Sequence, residues 1–259
     1  MAASSIVHGG LTQATTTLFR RELVPLVDGS FELMPLVSGN ALRSALRRTA
    51  AELFCDALEV EGALSPAVSS VLLNGGALTK SKAGLLTGAR RALVRELVVP
   101  VGLFGAATSG VIVDGCVRAS KLVPVCSELA HLCGRSSGCS IDELLQVEDY
   151  SRTAAVDEDD VPGVAGPMRY SVEVLCAGTQ LAGQVSVDHA SAVQHALMCE
   201  VLQVWTSRGT IGGRVGSGHG QISGVVESHL LRGTPVEVDW RAELAEHRDE
   251  VIAALEALS

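Results

Sequence analysis

A glycine-rich stretch in the last quarter of the sequence has the composition of an anion-binding loop. The segment GTIGGRVGSGHGQ, residues 209–221, holds six glycines in thirteen residues, together with Arg214 and His219. Clustered backbone amides bind anions whatever the side chains are, and a nearby guanidinium adds positive charge. The alternative is a flexible, turn-rich hairpin, but such turns favour Asn and Asp between the glycines. We therefore predict that this loop binds an anion.

Three common enzyme motifs do not fit the same loop. A dinucleotide-binding fingerprint follows a strand and opens a helix, whereas here a predicted helix comes before the loop and a strand after it. No Gly-Lys-Ser/Thr sequence ends the run, as a Walker A loop requires. The serine at position 217 also lacks the G-x-S-x-G frame of a nucleophile elbow. The loop is therefore predicted to bind a ligand rather than to carry one of these reactions.

A second positively charged segment, VSGNALRSALRR (residues 37–48), begins a predicted helix. Arg43, Arg47 and Arg48 lie in its first turns, and acidic residues follow only from Glu52 onward. Cations at a helix N-terminus are disfavoured by about 0.3–1 kcal/mol each, so an external anion there would explain the pattern. The alternative is that the arginine stems cover apolar surface. Arg20 and Arg21 on the preceding strand add charge to the same neighbourhood.

Two weaker clusters could hold metal ions. Cys126, His131, Cys133 and Cys139 are zinc-ligand types, but they form no C-x-x-C pair, and buried thiols are common. The acidic run at 157–160 is more typical of a solvated loop than of a divalent-ion site. We expect no metal ion and no cofactor. His8 and His195 are interpreted as structural.

Composition narrows the class of protein. The 259 residues carry a net charge of −9, but residues 139–165 have one basic and eight acidic residues, and 236–259 have two and seven. The remainder holds 17 basic and 14 acidic residues, so a basic face for nucleic acid is available.

Aromatic residues make up only 3% of the chain, which limits base stacking. Seven unpatterned cysteines and no signal-like start predict a cytoplasmic protein with no membrane partner.

Periodicity and turn signals predict alternating strands and helices with antiparallel hairpins, and thus an α+β, ferredoxin-like sheet rather than a Rossmann fold. Helices are predicted at 41–58, 66–73, 190–206 and 241–258. The predicted strands and hairpins are a strand with a turn at Gly9-Gly10 (6–19), a hairpin at Asp28-Gly29 (23–27 and 31–37), a hairpin across Gly178 (170–175 and 180–187) and a strand at 221–227. Residues 98–113 are predicted to form strands and turns, and 142–150 a short helix or loop.

These segments resemble the RAMP superfamily of CRISPR-associated proteins. SGNALRSALRR after a strand is similar to the superfamily's G-S/N-x-L-[KR]-x-x-[LI]-R segment, and GGRVGSGHGQISG resembles its C-terminal glycine-rich loop. LFG at 103–105 followed by VIVDGCV, and the stretch 147–174, resemble the middle segment and the thumb hairpin of effector-complex backbone subunits. The motifs extend over about 6–227 in the family's order, and the SGN form resembles the type IV branch.

The resemblance implies one domain, 1–259, with a modified RNA-recognition-motif palm, a fingers insertion at about 60–100, a thumb insertion at about 140–168 and an acidic helical tail at 236–259. Its expected partners are CRISPR guide RNA, further copies in a helical filament, other effector-complex subunits and complementary target nucleic acid. RNA would be held by its phosphates, independently of sequence. The implied or inferred contacts are Arg20, Arg21, Ser38, Gly39, Asn40, Arg43, Arg47, Arg152, Arg214, Gly216, Ser217, Gly218 and His219.

The sequence departs from the target-cleaving members of the superfamily that it resembles. The resemblance implies that those members carry a catalytic aspartate before the SGN-like segment. The matching region is short, and its only aspartate is Asp28 in a predicted turn. We therefore expect a non-catalytic subunit. Three alternatives remain: an RNA-processing endoribonuclease of the same superfamily with His219 or His8 as general base, an enzyme for a small phosphorylated substrate, and an α+β domain with another role.

Overall fold

The protein has a mixed α+β fold that divides into two compact units. The computed structural model describes residues 1–60, 62–76, 87–108, 110–152, 168–234 and 236–258. The first unit contains 1–38, 121–183 and 210–223, and the second contains 39–120, 184–209 and 224–259. The α+β prediction is confirmed at this level, whereas the ferredoxin-like palm and the single domain stay predictions.

Short strands and eight helices make up the regular structure of the described residues. The strands are β1 (Gly9–Gln13), β2 (Thr16–Phe19), β3 (Arg21–Pro25), β4 (Phe31–Pro35), β5 (Ala106–Thr108), β6 (Val111–Val113), β7 (Val117–Ala119), β8 (Val123–Pro124), β9 (Leu145–Arg152), β10 (Met168–Leu175), β11 (Leu181–Ala182) and β12 (Val185–Val187). The helices are α1 (Gly39–Leu58), α2 (Pro66–Asn74), α3 (Gly88–Leu97), α4 (Val99–Phe104), α5 (Ala130–Cys133), α6 (Ala192–Arg208), α7 (Trp240–Glu246) and α8 (Arg248–Glu256).

The first unit is built on a four-stranded sheet with the order β1-β2-β10-β9. β9 and β10 form a long antiparallel pair in which Tyr150 lies opposite Tyr170. β10 also runs parallel to β2. Val7, Val172 and Val174 form a small buried cluster beneath the two tyrosines. The hairpin β3–β4 packs against a second cluster through Met34.

The second unit is a helical layer around α1. Apolar residues of α1 recur at helical spacing and are buried, among them Leu42, Leu46 and Phe54. α6 begins with a capping box, in which Ser191 and Gln194 exchange side-chain-to-backbone hydrogen bonds. The two tail helices α7 and α8 bury apolar residues in the same unit, so the predicted acidic tail is helical and part of this core.

Several predicted elements are confirmed with small shifts in their ends. The helices predicted at 41–58, 66–73 and 190–206 correspond to α1, α2 and α6, and the Asp28-Gly29 hairpin is β3–β4. Residues 77–86, in the predicted fingers, and 153–167, which include the predicted thumb loop and the acidic run 157–160, lie outside the described residues.

Five predicted elements differ from the structure. The first turn lies at Ala14-Thr15 instead of Gly9-Gly10, because Gly9 and Gly10 belong to β1. Residues 99–104 form helix α4 rather than strands. Of the short helix or loop predicted at 142–150, a 3₁₀ helix is present at Asp142–Leu144, but 145–150 form most of β9. β10 pairs with β9 and β2, so no hairpin crosses Gly178. Residues 221–227 make only single bridges, through Gln221 and Ile222, instead of a strand.

Candidate nucleic-acid interface

The glycine-rich loop is anchored to the N-terminal segment of the first unit by its backbone. The amide of Gly213 donates to the carbonyl of Val7 at 2.7 Å, and the amide of Gly220 donates to the carbonyl of Ser5 at 2.8 Å. Gly212 has a φ of +83°, and a β-carbon there would lie 2.2 Å from the Val7 oxygen. The ends of the loop are therefore fixed, and glycine is required at 212 by the close approach of this backbone.

Arg214 has a strained backbone at the start of the loop's 3₁₀ turn. Its φ of +57° lies in the left-handed region that glycine prefers. The guanidinium carbon lies 4.5 Å from the ring centre of Tyr150 and 4.8 Å from that of Tyr170. Nη1 donates to the Tyr170 hydroxyl at 3.1 Å. Within the described ranges, no carboxylate lies at ion-pair distance from Arg214.

The tip of the loop is open. Gly216, Ser217 and Gly218 are exposed, and a β-carbon added at either glycine would meet no other atom within 4 Å. Gly218 has a φ of +90°, which explains its identity, but Gly216 has neither a positive φ nor a close neighbour. Glycine at 216 is therefore not required by the described structure of the chain. It leaves room for an external group to approach the backbone.

His219 is buried beneath this tip, with both ring nitrogens engaged inside the chain. Nδ1 lies 2.9 Å from the Ser5 hydroxyl, and Nε2 lies 2.5 Å from the Tyr150 hydroxyl. Tyr150 also donates to Glu148 at 2.8 Å, and burial together with that hydrogen bond raises the pKa of Tyr150 to about 12. Only 6% of His219 is exposed. This geometry suits a structural histidine better than a general base, which needs a nitrogen within reach of a substrate.

The two predicted strand arginines differ in their surroundings. Arg20 is exposed, and its guanidinium lies 3.5 Å from the Glu22 carboxylate. Arg21 forms a two-point ion pair with the nearly buried Glu173, at 2.6 and 2.7 Å. Glu173 also accepts the backbone amide of Phe19 at 2.7 Å. The Arg21 charge is thus neutralised within the first unit, which weighs against its predicted contact with phosphate.

His8 fixes the backbone at the start of the SGN segment. Its Nε2 accepts the Ser38 amide at 3.1 Å, and the ring meets Phe19 edge-on with the centres 5.9 Å apart. Burial, and then the nearby Arg20 charge, lower the pKa of His8 below its usual value, which favours the neutral acceptor form. His8 is therefore held as a hydrogen-bond acceptor for Ser38, and this use competes with a role as general base.

The first turns of α1, in the second unit, run from the surface into the interior. Asn40 is exposed, Arg43 is half-buried and Arg47 is buried. Nη2 of Arg43 donates to the Phe104 carbonyl at 2.6 Å. No acidic residue stands in the first turn of α1. In the described part of the chain no carboxylate pairs with Arg43 or Arg47.

Arg47 is part of the protein interior. Its guanidinium donates to the carbonyls of Phe104 and Gly105 at 2.6 and 2.8 Å, with a longer bond to Val71 at 3.4 Å. Burial, and then repulsion by Arg43, lower the pKa of Arg47 to about 10. Gly39, which begins the helix, is packed so closely that a β-carbon would lie 2.7 Å from the Ala119 oxygen. Arg47 and Gly39 therefore have internal reasons for their identity, while Asn40 and Arg43 remain near the surface.

Arg152 and the residues of the zinc alternative add little to the description of the candidate interface. Arg152 ends β9, and its side chain lies outside the described structure. Burial raises the pKa of Cys126 to about 11, and His131 contacts the Pro25 carbonyl at 3.1 Å. The described residues contain no group of three or more side chains that could hold a metal ion. No described helix is long and apolar enough to cross a membrane.

The structure adds three residues that the sequence prediction missed. Tyr150 and Tyr170 support Arg214, and Glu173 neutralises Arg21. Tyr150 and Tyr170 are the only tyrosines in the chain. Their positions on either side of the predicted thumb loop, 153–167, are a usable signal, since the two arms of a hairpin place such residues opposite each other.

Comparisons with known proteins find similar chains among solved structures. No family model matches the chain, and a search of curated proteins finds no match. Among solved structures, the chain is similar to a chain of a "Type IV-B CRISPR Complex", with 31% identity, 93% of each chain covered and a TM-score of 0.63. Weaker likenesses are the Csc2 protein of Thermofilum pendens (13% identity, 98% and 78% covered, TM-score 0.42) and a "CRISPR RNA-guided surveillance complex, pre-nicking" (15%, 85% and 72%, 0.45).

Proposed function

This chain belongs to the RAMP-like backbone subunits of type IV CRISPR complexes, and we propose that it binds guide RNA through the phosphate backbone without cleaving it. Copies of the chain would polymerise along the RNA as a helical filament, contact other effector-complex subunits and present the spacer for pairing with a complementary target. The ferredoxin-like palm, the fingers at about 60–100 and the thumb at about 140–168 are part of the same proposal.

The glycine-rich loop of the first unit carries the proposal. It presents Arg214, which has no carboxylate partner in the described structure, next to Gly216, which neither φ nor packing requires. A positive side chain beside bare backbone is what sequence-independent contact with phosphates needs. The exposed Ser217 and the open Gly218 extend the same surface. His219 would support this loop from within.

The start of α1 supports a second phosphate contact, in the second unit. Arg43 and Arg47 place two guanidinium groups near one carbonyl, that of Phe104, without a described carboxylate. Carbonyls satisfy the hydrogen bonds of such groups but do not neutralise their charge. A phosphate beside Arg43 and Asn40 would supply the missing negative charge. We assign the direct contact to these two residues and a supporting role to Arg47.

The absence of cleavage is part of the proposal and has its own test. Asp28 is exposed in the β3–β4 turn and accepts two hydrogen bonds from Ser30, at 2.7 and 2.9 Å, which suits a turn residue. Purified complex should be incubated with complementary RNA and Mg²⁺, and guide-RNA cleavage by the isolated subunit measured alongside. Regular cuts that disappear in an Asp28→Asn variant would refute the non-catalytic assignment.

The first experiment is purification of the chain without nuclease, with the 260/280 absorbance ratio and the particle size measured together. The proposal predicts a large, RNA-containing species that RNase reduces to small particles. A small, RNA-free monomer, alone and with partner subunits, would instead favour an enzyme for a phosphorylated small molecule.

An Arg43→Gln variant is expected to bind single-stranded RNA more weakly at low salt. Glutamine still donates a hydrogen bond toward the Phe104 carbonyl but removes the charge. The slope of log K against log salt should fall by about 0.7 for one lost phosphate contact. Fluorescence anisotropy over a salt series measures both effects. Arg118→Gln is the matched control, because Arg118 is exposed on β7 and pairs with Asp188. Equal slopes for both variants would remove Arg43 from the interface.

A Gly216→Ala variant is expected to keep its stability and lose RNA affinity. The added methyl meets no atom of the described chain, so the free energy of unfolding should stay within about 0.5 kcal/mol of the parent or rise slightly. The same methyl would obstruct the approach of RNA to the backbone at this point. Gly88→Ala, at the equally open first residue of α3, is the control. Unchanged affinity in Gly216→Ala would argue against backbone contact at the loop tip.

A further inference from the structure

The side chains of Arg214, Tyr150 and Tyr170 form a compact cluster beside the glycine loop. Tyr150 and Tyr170 are opposed across β9 and β10, and their rings stack with centres 5.5 Å apart and planes inclined by 10°. The Arg214 guanidinium lies over both rings, at 4.5 and 4.8 Å. The cluster is fixed from below, because the tyrosines pack on Val7, Val172 and Val174.

The guanidinium is held in place by aromatic rings, with no carboxylate partner among the described residues. The tyrosine rings attract it electrostatically, and Tyr170 accepts one of its five N–H groups. No carboxylate of the described chain completes an ion pair with it. The backbone of Arg214 remains in the left-handed region, where glycine would be less strained. A side chain kept at such a position, oriented by two rings and left charged, is suited to contact with an external flat or anionic group.

The surroundings favour a flat group. Val215 is 41% exposed next to Arg214, and the following Gly216 and Gly218 add no side chains. A phosphate alone gains nothing from an exposed valine, whereas a nucleobase has an apolar face and stacks on guanidinium planes and aromatic rings. The base of a nucleotide would stack on the face of the Arg214 guanidinium. The outer N–H groups of the guanidinium would then donate to the phosphate backbone of the RNA.

We propose that Arg214, supported by Tyr150 and Tyr170, stacks one nucleobase of the bound RNA. This inference rests on the proposed RNA-binding function and adds to it a contact with a base that is independent of base identity. The sequence composition predicts little stacking, and the cluster brings two of the few aromatic side chains together at one point. The contact requires the planar guanidinium, so lysine cannot replace it.

The test compares two oligomers of equal length, oligouridylate and the same ribose-phosphate chain without bases. Wild-type protein freed of co-purified RNA should bind the base-bearing oligomer about 5- to 150-fold more tightly, the range for one stacked base. Arg214→Lys should lose most of this ratio while retaining affinity for the oligomer without bases. Tyr170→Phe, which keeps the ring, should retain the ratio.

The outcomes separate the two proposals. If wild-type protein binds both oligomers equally, base stacking is overturned while RNA binding stands. If neither oligomer binds, both proposals fail. Arg214→Gly guards against misfolding, because glycine suits the left-handed backbone at this position, and it should also lose the ratio. A ratio that survives in Arg214→Lys and in Arg214→Gly would show that the base is bound elsewhere and would overturn the assignment.

Discussion

An Arg47→Met variant is expected to lose about 2–4 kcal/mol of unfolding free energy, because the Arg47 hydrogen bonds to three carbonyls would be lost. The Gly105 carbonyl would lose its donor, whereas the Phe104 carbonyl would keep the bond from Arg43 and the Val71 carbonyl the bond from the Gly75 amide. Methionine fills similar space but donates no hydrogen bond. For a chain of this size, the loss corresponds to a fall in Tm of roughly 4–16 °C. Thermal and urea unfolding measure it. Arg48→Met is the matched control on the neighbouring, exposed position of α1, where a change within about 0.5 kcal/mol is expected.

The same variant tests whether Arg47 touches RNA. Measured at low temperature, where it is folded, Arg47→Met should bind RNA nearly as well as the parent if its guanidinium serves only the interior. A decrease as large as that of Arg43→Gln would restore the contact predicted from sequence. Equal stability of Arg47→Met and Arg48→Met would instead mean that the three carbonyls do not depend on this donor.

Long amphipathic elements were predictable because their signals are local. α1 shows apolar residues at helical spacing, α6 carries a complete capping box, and the Asp28-Gly29 turn defines β3–β4. Each signal is contained within a few residues, so no knowledge of the rest of the fold is needed. The tail helices were predictable for the same reason.

Elements set by distant contacts were not predictable. α4 has the sequence VPVGLF, whose valines and glycine favour strands and turns. Yet all six residues are buried in a helix, which has a proline in its first turn. Short apolar runs do not distinguish a buried strand from a buried helix. Gly178 signals a turn and predicts a hairpin that includes β10, whereas the partners of β10 are β9 and β2.

The candidate site shows the same division between what is local and what is not. The glycines and Arg214 were identifiable from composition, since bare backbone and a guanidinium occur within a few residues. Sequence counts charges but does not reveal their partners, so Arg21 and Arg214 look alike in the sequence. The fold gives Arg21 a carboxylate and gives Arg214 two aromatic rings. These assignments depend on strand pairing across residues far apart in the chain.

A Glu173→Gln variant is expected to destabilise the first unit by about 2–4 kcal/mol, slightly below the usual loss for a broken buried ion pair, because Arg21 is partly exposed. The carboxylate accepts two bonds from Arg21 and one from the Phe19 amide. A glutamine would place its own N–H₂ group against one of these donors. Urea unfolding at neutral pH measures the loss, and Glu32→Gln, an exposed change on β4, is expected to be nearly neutral.

The double variant Arg21→Gln with Glu173→Gln distinguishes a structural Arg21 from one that binds RNA. If the charges of Arg21 and Glu173 only neutralise each other, removing both leaves no unpaired charge. The double variant should then be more stable than Glu173→Gln alone. Its RNA affinity and salt slope should then equal those of the parent. A salt slope reduced by about 0.7 would show that Arg21 contacts a phosphate in spite of its pairing with Glu173. If the double variant loses as much unfolding free energy as Arg21→Gln and Glu173→Gln lose in sum, the ion pair contributes nothing to the stability of the first unit. The charge of Arg21 would then be free for RNA.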